Sequence, residues 1–109
     1  MKRAHTYSPA TVEATRLLGS RVRLGRRERR WTLAELAERV GISVVTMRKI
    51  ERGDPSVGLG IAFEAATLVG VPLFAVDRSR LALEAARVED RLAVLPQVVR
   101  RPTEPDDDF

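Results

Sequence analysis

The chain has 109 residues, of which 44% are hydrophobic and only 5% aromatic, and it carries a formal net charge of +4. That is enough chain for one domain with a core made mainly of Leu, Val, Ile and Ala. It holds no cysteine, which excludes disulfides, zinc–thiolate centres and thiol nucleophiles, and no stretch reaches the roughly 18 apolar residues of a membrane span.

Residues 1–8 read as a flexible N-terminal arm with no secretory apolar region after Met1, so the expected compartment is the cytoplasm. Ser8-Pro9 is a helix start, with Ser as the cap and Pro in the first turn. A first helix is predicted from about Pro9 to about Arg29, with Ala14, Leu18 and Val22 on one face. Gly19 and Gly25 each weaken it by roughly 1 kcal/mol relative to alanine, which predicts a bend or break.

The segment TLAELAERVGISVVTMRKIERG, from Thr32 to Gly53, reads as two short helices joined by a tight turn. Thr32 and Glu35 have the spacing of a capping box. Leu36, Ala37 and Val40 give the helix over Leu33–Val40 one apolar face, and small Ala37 permits a close crossing. Gly41 tolerates the positive φ that ends it, and Ile42 anchors the turn. Ser43 caps a third helix over Val44–Arg52, with Met47 and Ile50 inward and Gly53 as its end. This is the pattern of a helix-turn-helix, whose second helix enters the major groove of DNA.

Asp54-Pro55-Ser56 is a turn. A fourth helix is predicted over Leu59–Val69, ended by Gly70, with Val57, Leu59, Ala62, Phe63, Ala66 and Val69 closing the core. Val71–Phe74 is an apolar link. A fifth helix fits Arg80–Leu95, where Leu81, Ala85, Val88, Leu92 and Leu95 are spaced by fours and threes. That narrow seam suits either two helices sharing a contact or one helix packing on its own domain. Pro96 ends it, and the proline- and acid-rich residues 96–109 predict a disordered acidic tail. The expected organisation is an arm over 1–8, a DNA-binding domain over 9–78, a C-terminal helix over 79–95 for dimerisation or core, and the tail over 96–109.

Charge is unevenly spread. Arg16, Arg21, Arg23, Arg26, Arg27, Arg29 and Arg30 face Glu28 alone between positions 16 and 30, while Asp106, Asp107 and Asp108 close the chain. An arginine run is either a solvated face or the footprint of a polyanion; beside a helix-turn-helix, the second reading gains weight.

The segment from about Arg21 to Phe74 resembles the xenobiotic-response-element family of regulators, which includes phage Cro and repressor proteins. The strings LAELAERVGIS and KIERG carry the likeness. The resemblance implies an all-α, five-helix, lambda-repressor-like domain that binds double-stranded operator DNA as a homodimer. A narrower likeness, to HipB-type antitoxins, rests on ERGDPSVGLGIAFEAATLVGVPLF, the long helix after it and the ending LPQVVRRPTEPDDDF. It implies repression of a shared operon and pairing with a HipA-like kinase toxin. The family often has Gln directly after the capping Thr, where it supports a phosphate contact; here that residue is Leu33.

In the docking geometry of the motif, Ser43, Val44, Val45, Arg48, Lys49 and Arg52 are the outward residues of the recognition helix. Val44 and Val45 suit thymine methyl groups, and Lys49 suits guanine O6 or N7, or a phosphate. Arg48 and Arg52 suit phosphates. Thr32 offers a hydroxyl, with free amides beside it, to a phosphate, or serves purely as a cap. Arg21 and Arg23 reach for the backbone or for solvent. The resemblance implies an internal ion pair between Glu51 and Arg26. Trp31, just before the cap, reads as core. The tail residues Asp106, Asp107, Asp108 and Phe109 suit a partner with a basic rim and an apolar pocket, or simply solubilise the chain. His5 and the serines have no companion base, so no enzyme, metal or cofactor site is expected. The alternatives to an antitoxin are a stand-alone phage-type or restriction-controller regulator and a protein–protein adaptor on the same fold.

Overall fold

The computed structural model describes residues 6–99 and residue 101. Five helices follow in order: α1 (Pro9–Glu28), α2 (Leu33–Val40), α3 (Val44–Arg52), α4 (Leu59–Leu68) and α5 (Arg78–Ala93), with no strand among the described residues. The chain divides after Ala75 into two compact units. The expected N-terminal arm falls mostly, and the expected tail largely, on residues outside those described.

The first unit is assembled from helices with clear start and stop signals. Ser8 accepts a hydrogen bond from the Thr11 amide at the head of α1, Thr32 and Glu35 complete a reciprocal capping box on α2, and Ser43 caps α3 by accepting from the Thr46 amide at 3.0 Å. The stops of α1 and α3 share one geometry. After α1, the Arg30 amide donates to the Arg27 carbonyl and the Trp31 amide to that of Arg26. The equivalent pair after α3 runs from Gly53 to Ile50 and from Asp54 to Lys49. This paired closure requires a left-handed residue; glycine supplies it at Gly53 (φ 78°), whereas α1 uses Arg30 (φ 61°).

The core of this unit is Val22, Leu36, Ala37, Met47, Ile50, Ala65, Ala66 and Val69, with Leu18, Trp31, Leu33, Val40, Ile42, Val57 and Ile61 packed against it. It is aliphatic, as the low aromatic content requires. Leu59, expected to help close it, is instead 68% exposed. It is the first residue of α4, and a first-turn side chain leans back toward the helix start, beyond the layer it would need to reach. Ala14, which shares a face of α1 with Leu18 and Val22, is exposed too.

No break occurs in α1 at its glycines. Gly19 and Gly25 are buried, and each marks a place where another backbone comes close. A methyl on Gly19 would overlap the Ile50 carbonyl and lie 2.8 Å from that of Glu51; one on Gly25 would lie 2.8 Å from the Val69 carbonyl. The helix therefore gives up propensity at these positions to admit the ends of α3 and α4. Beyond α4, Val71 and Leu73 pack on the core, and Phe74 sets its ring edge-on to Phe63 at 6.0 Å.

The second unit contains α5. Its ends lie about two residues earlier than the seam suggested, so Leu95 falls outside the helix. None of its side chains is buried, and Glu84 pairs with Arg87 on its surface at 3.3 Å.

Candidate nucleic-acid interface

The division of α3 into two sides decides what it can offer. Met47, Ile50 and Glu51 are buried. The remaining surface presents Val44, Val45, Arg48, Lys49 and Arg52, all exposed, with Val45 at 60%. At 3.6 residues per turn, Val45 and Lys49 form one row, and Val44, Arg48 and Arg52 the row beside it. The exposed helix thus carries methyl groups at its start and cations along its length. Ser43 stays at the head of the row, its hydroxyl shared between the Thr46 amide and the Thr46 hydroxyl at 3.0 Å.

Arg26 and Glu51 tie this helix to α1. Arg26 Nε donates to Glu51 Oε2 at 2.6 Å and Nη2 to Oε1 at 3.0 Å, while Nη1 donates to the Trp31 carbonyl at 2.9 Å. The two side chains are only 11% and 7% exposed. The hydrogen bond to Glu51 is the main cause raising the Arg26 pKa above the ordinary arginine value, against the opposing effect of burial. A second link comes from Arg23, whose Nη2 donates to the Glu51 carbonyl at 3.2 Å. Both arginines lie on α1, so α1 grips the last turn of α3 by side chain and by backbone.

Thr32 forms the cap that its spacing to Glu35 predicted. Its amide donates to Glu35 Oε1 at 2.7 Å and its hydroxyl accepts from the Glu35 amide at 3.0 Å. The amide is therefore taken by the capping box and does not face an anion; what stays available nearby is the first-turn Leu33 amide, which has no intrahelical acceptor. Trp31 is half-buried against the core, with the Arg39 guanidinium 4.1 Å over its ring and that of Arg29 at 5.9 Å. Asp54 accepts from both the Ser56 hydroxyl and amide, and these bonds hold its carboxyl below the usual carboxylate range.

A cavity of about 310 Å³ opens where α1, α2 and α3 meet, lined by Arg23, Arg27, Leu33, Arg48 and Arg52 and by the Arg26–Glu51 pair. Arg27 carried no specific role in the sequence, yet it lies one turn beyond Arg23 on the same face of α1, a spacing that marks it as a partner. Arg21 is separated from this group: it lines a different cavity with Leu17, Leu18 and Phe63. Asp106, Asp107, Asp108 and Phe109 lie outside the described residues.

A family model described as a helix-turn-helix domain matches residues 17–81. No curated protein and no solved structure gives a match.

Proposed function

Because the chain belongs to the helix-turn-helix domain family, a DNA-binding architecture used in transcription regulation, we propose that it is a sequence-specific repressor that reads duplex DNA with α3. The observation that carries this reading is the exposed face of Val44, Val45, Arg48, Lys49 and Arg52 on a helix whose opposite side is locked to the core. The two valines meet thymine methyl groups, Lys49 donates to a guanine edge, and Arg48 and Arg52 fix the register on phosphates. No helix among the described residues is long and apolar enough to cross a membrane.

The repressor acts as a homodimer. One short helix touches too few base pairs for useful discrimination, and twofold symmetry sets two such helices about 34 Å apart on successive major-groove faces. In α5, Leu81, Val88 and Leu92 share a seam, and the latter two are more than half exposed, which supports this helix as the contact between copies. The resemblance to HipB-type antitoxins supports a second partner, a HipA-like kinase toxin whose operon the dimer represses. Co-purification with the product of the adjoining gene checks that step; a stand-alone regulator would bring down no protein.

Duplex selection from random oligonucleotides at low ionic strength tests the whole reading, and a folded protein that enriches no motif overturns it. Within an enriched site, Lys49→Ala is expected to cost about 1–3 kcal/mol and to relax one base position, whereas Arg52→Ala weakens every sequence alike. Anisotropy titrations on matched and mutated duplexes separate the two; a uniform loss for Lys49→Ala makes Lys49 a phosphate contact. A protein adaptor built on this fold would keep its function through both substitutions.

A further inference from the structure

We propose that the cavity between α1, α2 and α3 is a seat for one backbone phosphate, built by Arg23 and Arg27 of α1 with Arg48 and Arg52 of α3. This rests on the duplex-binding reading above but assigns to α1 a contact that the recognition helix does not make.

Three observations meet here. The first is charge. Five arginines line the cavity against the single carboxylate of Glu51, and that carboxylate is already held by two donors of Arg26. Arg23, Arg27, Arg48 and Arg52 thus share one lining in which no other carboxylate stands, Asp54 acting on Arg52 from outside it, and this local excess of positive charge favours an anion. The second is availability. Arg23 uses one nitrogen on the Glu51 carbonyl, while the side chains of Arg27, Arg48 and Arg52 make no hydrogen bond or ion pair within 4 Å among the described residues. Guanidinium forks left unpaired around a concavity match the oxygens of a phosphodiester. The third is Leu33, which shares the lining. Leu33 opens α2 and has no polar side chain to offer, yet its amide stands free of intrahelical bonding at the positive end of the helix. The arginines therefore provide what the Leu33 side chain lacks.

The position of the seat gives it a definite job. Arg48 and Arg52 share the cavity and the outward face of α3, so a phosphate held there stands beside the base-reading row. Arg23 and Arg27 add a fork from a separate helix. The duplex backbone is then clamped between α1 and α3, and the depth of α3 in the groove is set by four side chains that read no base.

The test is the salt dependence of binding to a random-sequence duplex, compared between the full chain and Arg27→Ala, Arg27→Lys and Arg23→Ala/Arg27→Ala. Arg27 is exposed and unpaired, so its replacement leaves folding intact, and a urea midpoint verifies this. One released counter-ion corresponds to a slope of about 0.9 in log K against log salt, or roughly eightfold in Kd at 0.1 M salt. The double variant is expected to lose about that slope and affinity while its enriched motif stays that of the parent. Arg27→Lys is expected to regain the slope. A double variant with the parent's slope overturns the seat, as does one whose enriched motif changes. A parent that binds duplex but enriches no motif sinks sequence-specific reading and leaves the slope comparison standing; a parent that binds no duplex sinks both.

Discussion

Glu51→Ala is expected to destabilise the domain by about 3–5 kcal/mol, the range for removing one partner of a buried ion pair. The cost comes less from the lost attraction than from what remains. Arg26 is 11% exposed and stays charged at any ordinary pH even without its partner, because a guanidinium does not deprotonate there; in the parent, Glu51 raises its pKa further. The stabilisation this shift reflects is fully present below the unfolded arginine pKa and is lost only as pH climbs through the higher folded value. With Glu51 gone, Nε and Nη2 lose both acceptors and only the Trp31 carbonyl remains. Since typical domains are stable by only about 5–15 kcal/mol, the variant is expected to sit near the edge of folding. Urea titration followed by the fluorescence of Trp31, the single tryptophan, measures it directly.

A second arm identifies the mechanism. Arg26→Met/Glu51→Leu removes both charges together and is expected to recover most of the loss, since apolar replacements of a buried pair are often neutral or better. If the double variant is as unstable as Glu51→Ala, the loss reflects packing and not a stranded charge. The recovered variant is then a tool: stable but without the lock on α3, it shows how far the proposed duplex binding depends on the pair.

Local signals made most of the first unit readable in the sequence. Thr32 with Glu35, and Ser43 at its helix start, write the beginnings of α2 and α3 in residues that touch only their own chain neighbours, and Gly41 and Gly53 write the ends. Such features need no knowledge of the rest of the fold. What the sequence hid is long-range. Gly19 and Gly25 look like helix weaknesses until the carbonyls of Ile50 and Val69 are found beside them, twenty-five or more positions away. Leu59 has the right periodicity for the core but stands at the end of its helix, where periodicity no longer decides burial. The arginine cavity is hidden for the same reason. Arg23 and Arg27 show a helical spacing, but nothing in it announces that Arg48 and Arg52 close the other side.

Gly53→Ala is the other substitution with a large expected effect, about 2–5 kcal/mol, and it follows from two separable causes. Its φ of 78° lies in the left-handed region, which costs a residue with a side chain roughly 1–2 kcal/mol. The added methyl would also stand 2.6 Å from the Arg16 Cα and 2.8 Å from the Arg16 nitrogen, atoms of a helix backbone that cannot rotate aside; such overpacking typically costs about 1–3 kcal/mol. Two other glycines isolate these terms. Gly41 is also left-handed, at 88°, but faces open space, so Gly41→Ala is expected to show the backbone cost alone. Gly19 is helical and meets the carbonyls of Ile50 and Glu51, so Gly19→Ala is expected to show the overlap, reduced by about 1 kcal/mol of gained helix propensity. Arg30→Gly reverses the backbone cost, because it puts glycine where α1 now ends on a left-handed arginine, and is expected to stabilise by up to about 1 kcal/mol. Urea midpoints for the series are expected to rank Arg30→Gly above the parent, then Gly41→Ala, with Gly53→Ala lowest. Should Gly53→Ala cost no more than Gly41→Ala, α1 and α3 do not meet backbone to backbone, and the close crossing of the two helices is wrong.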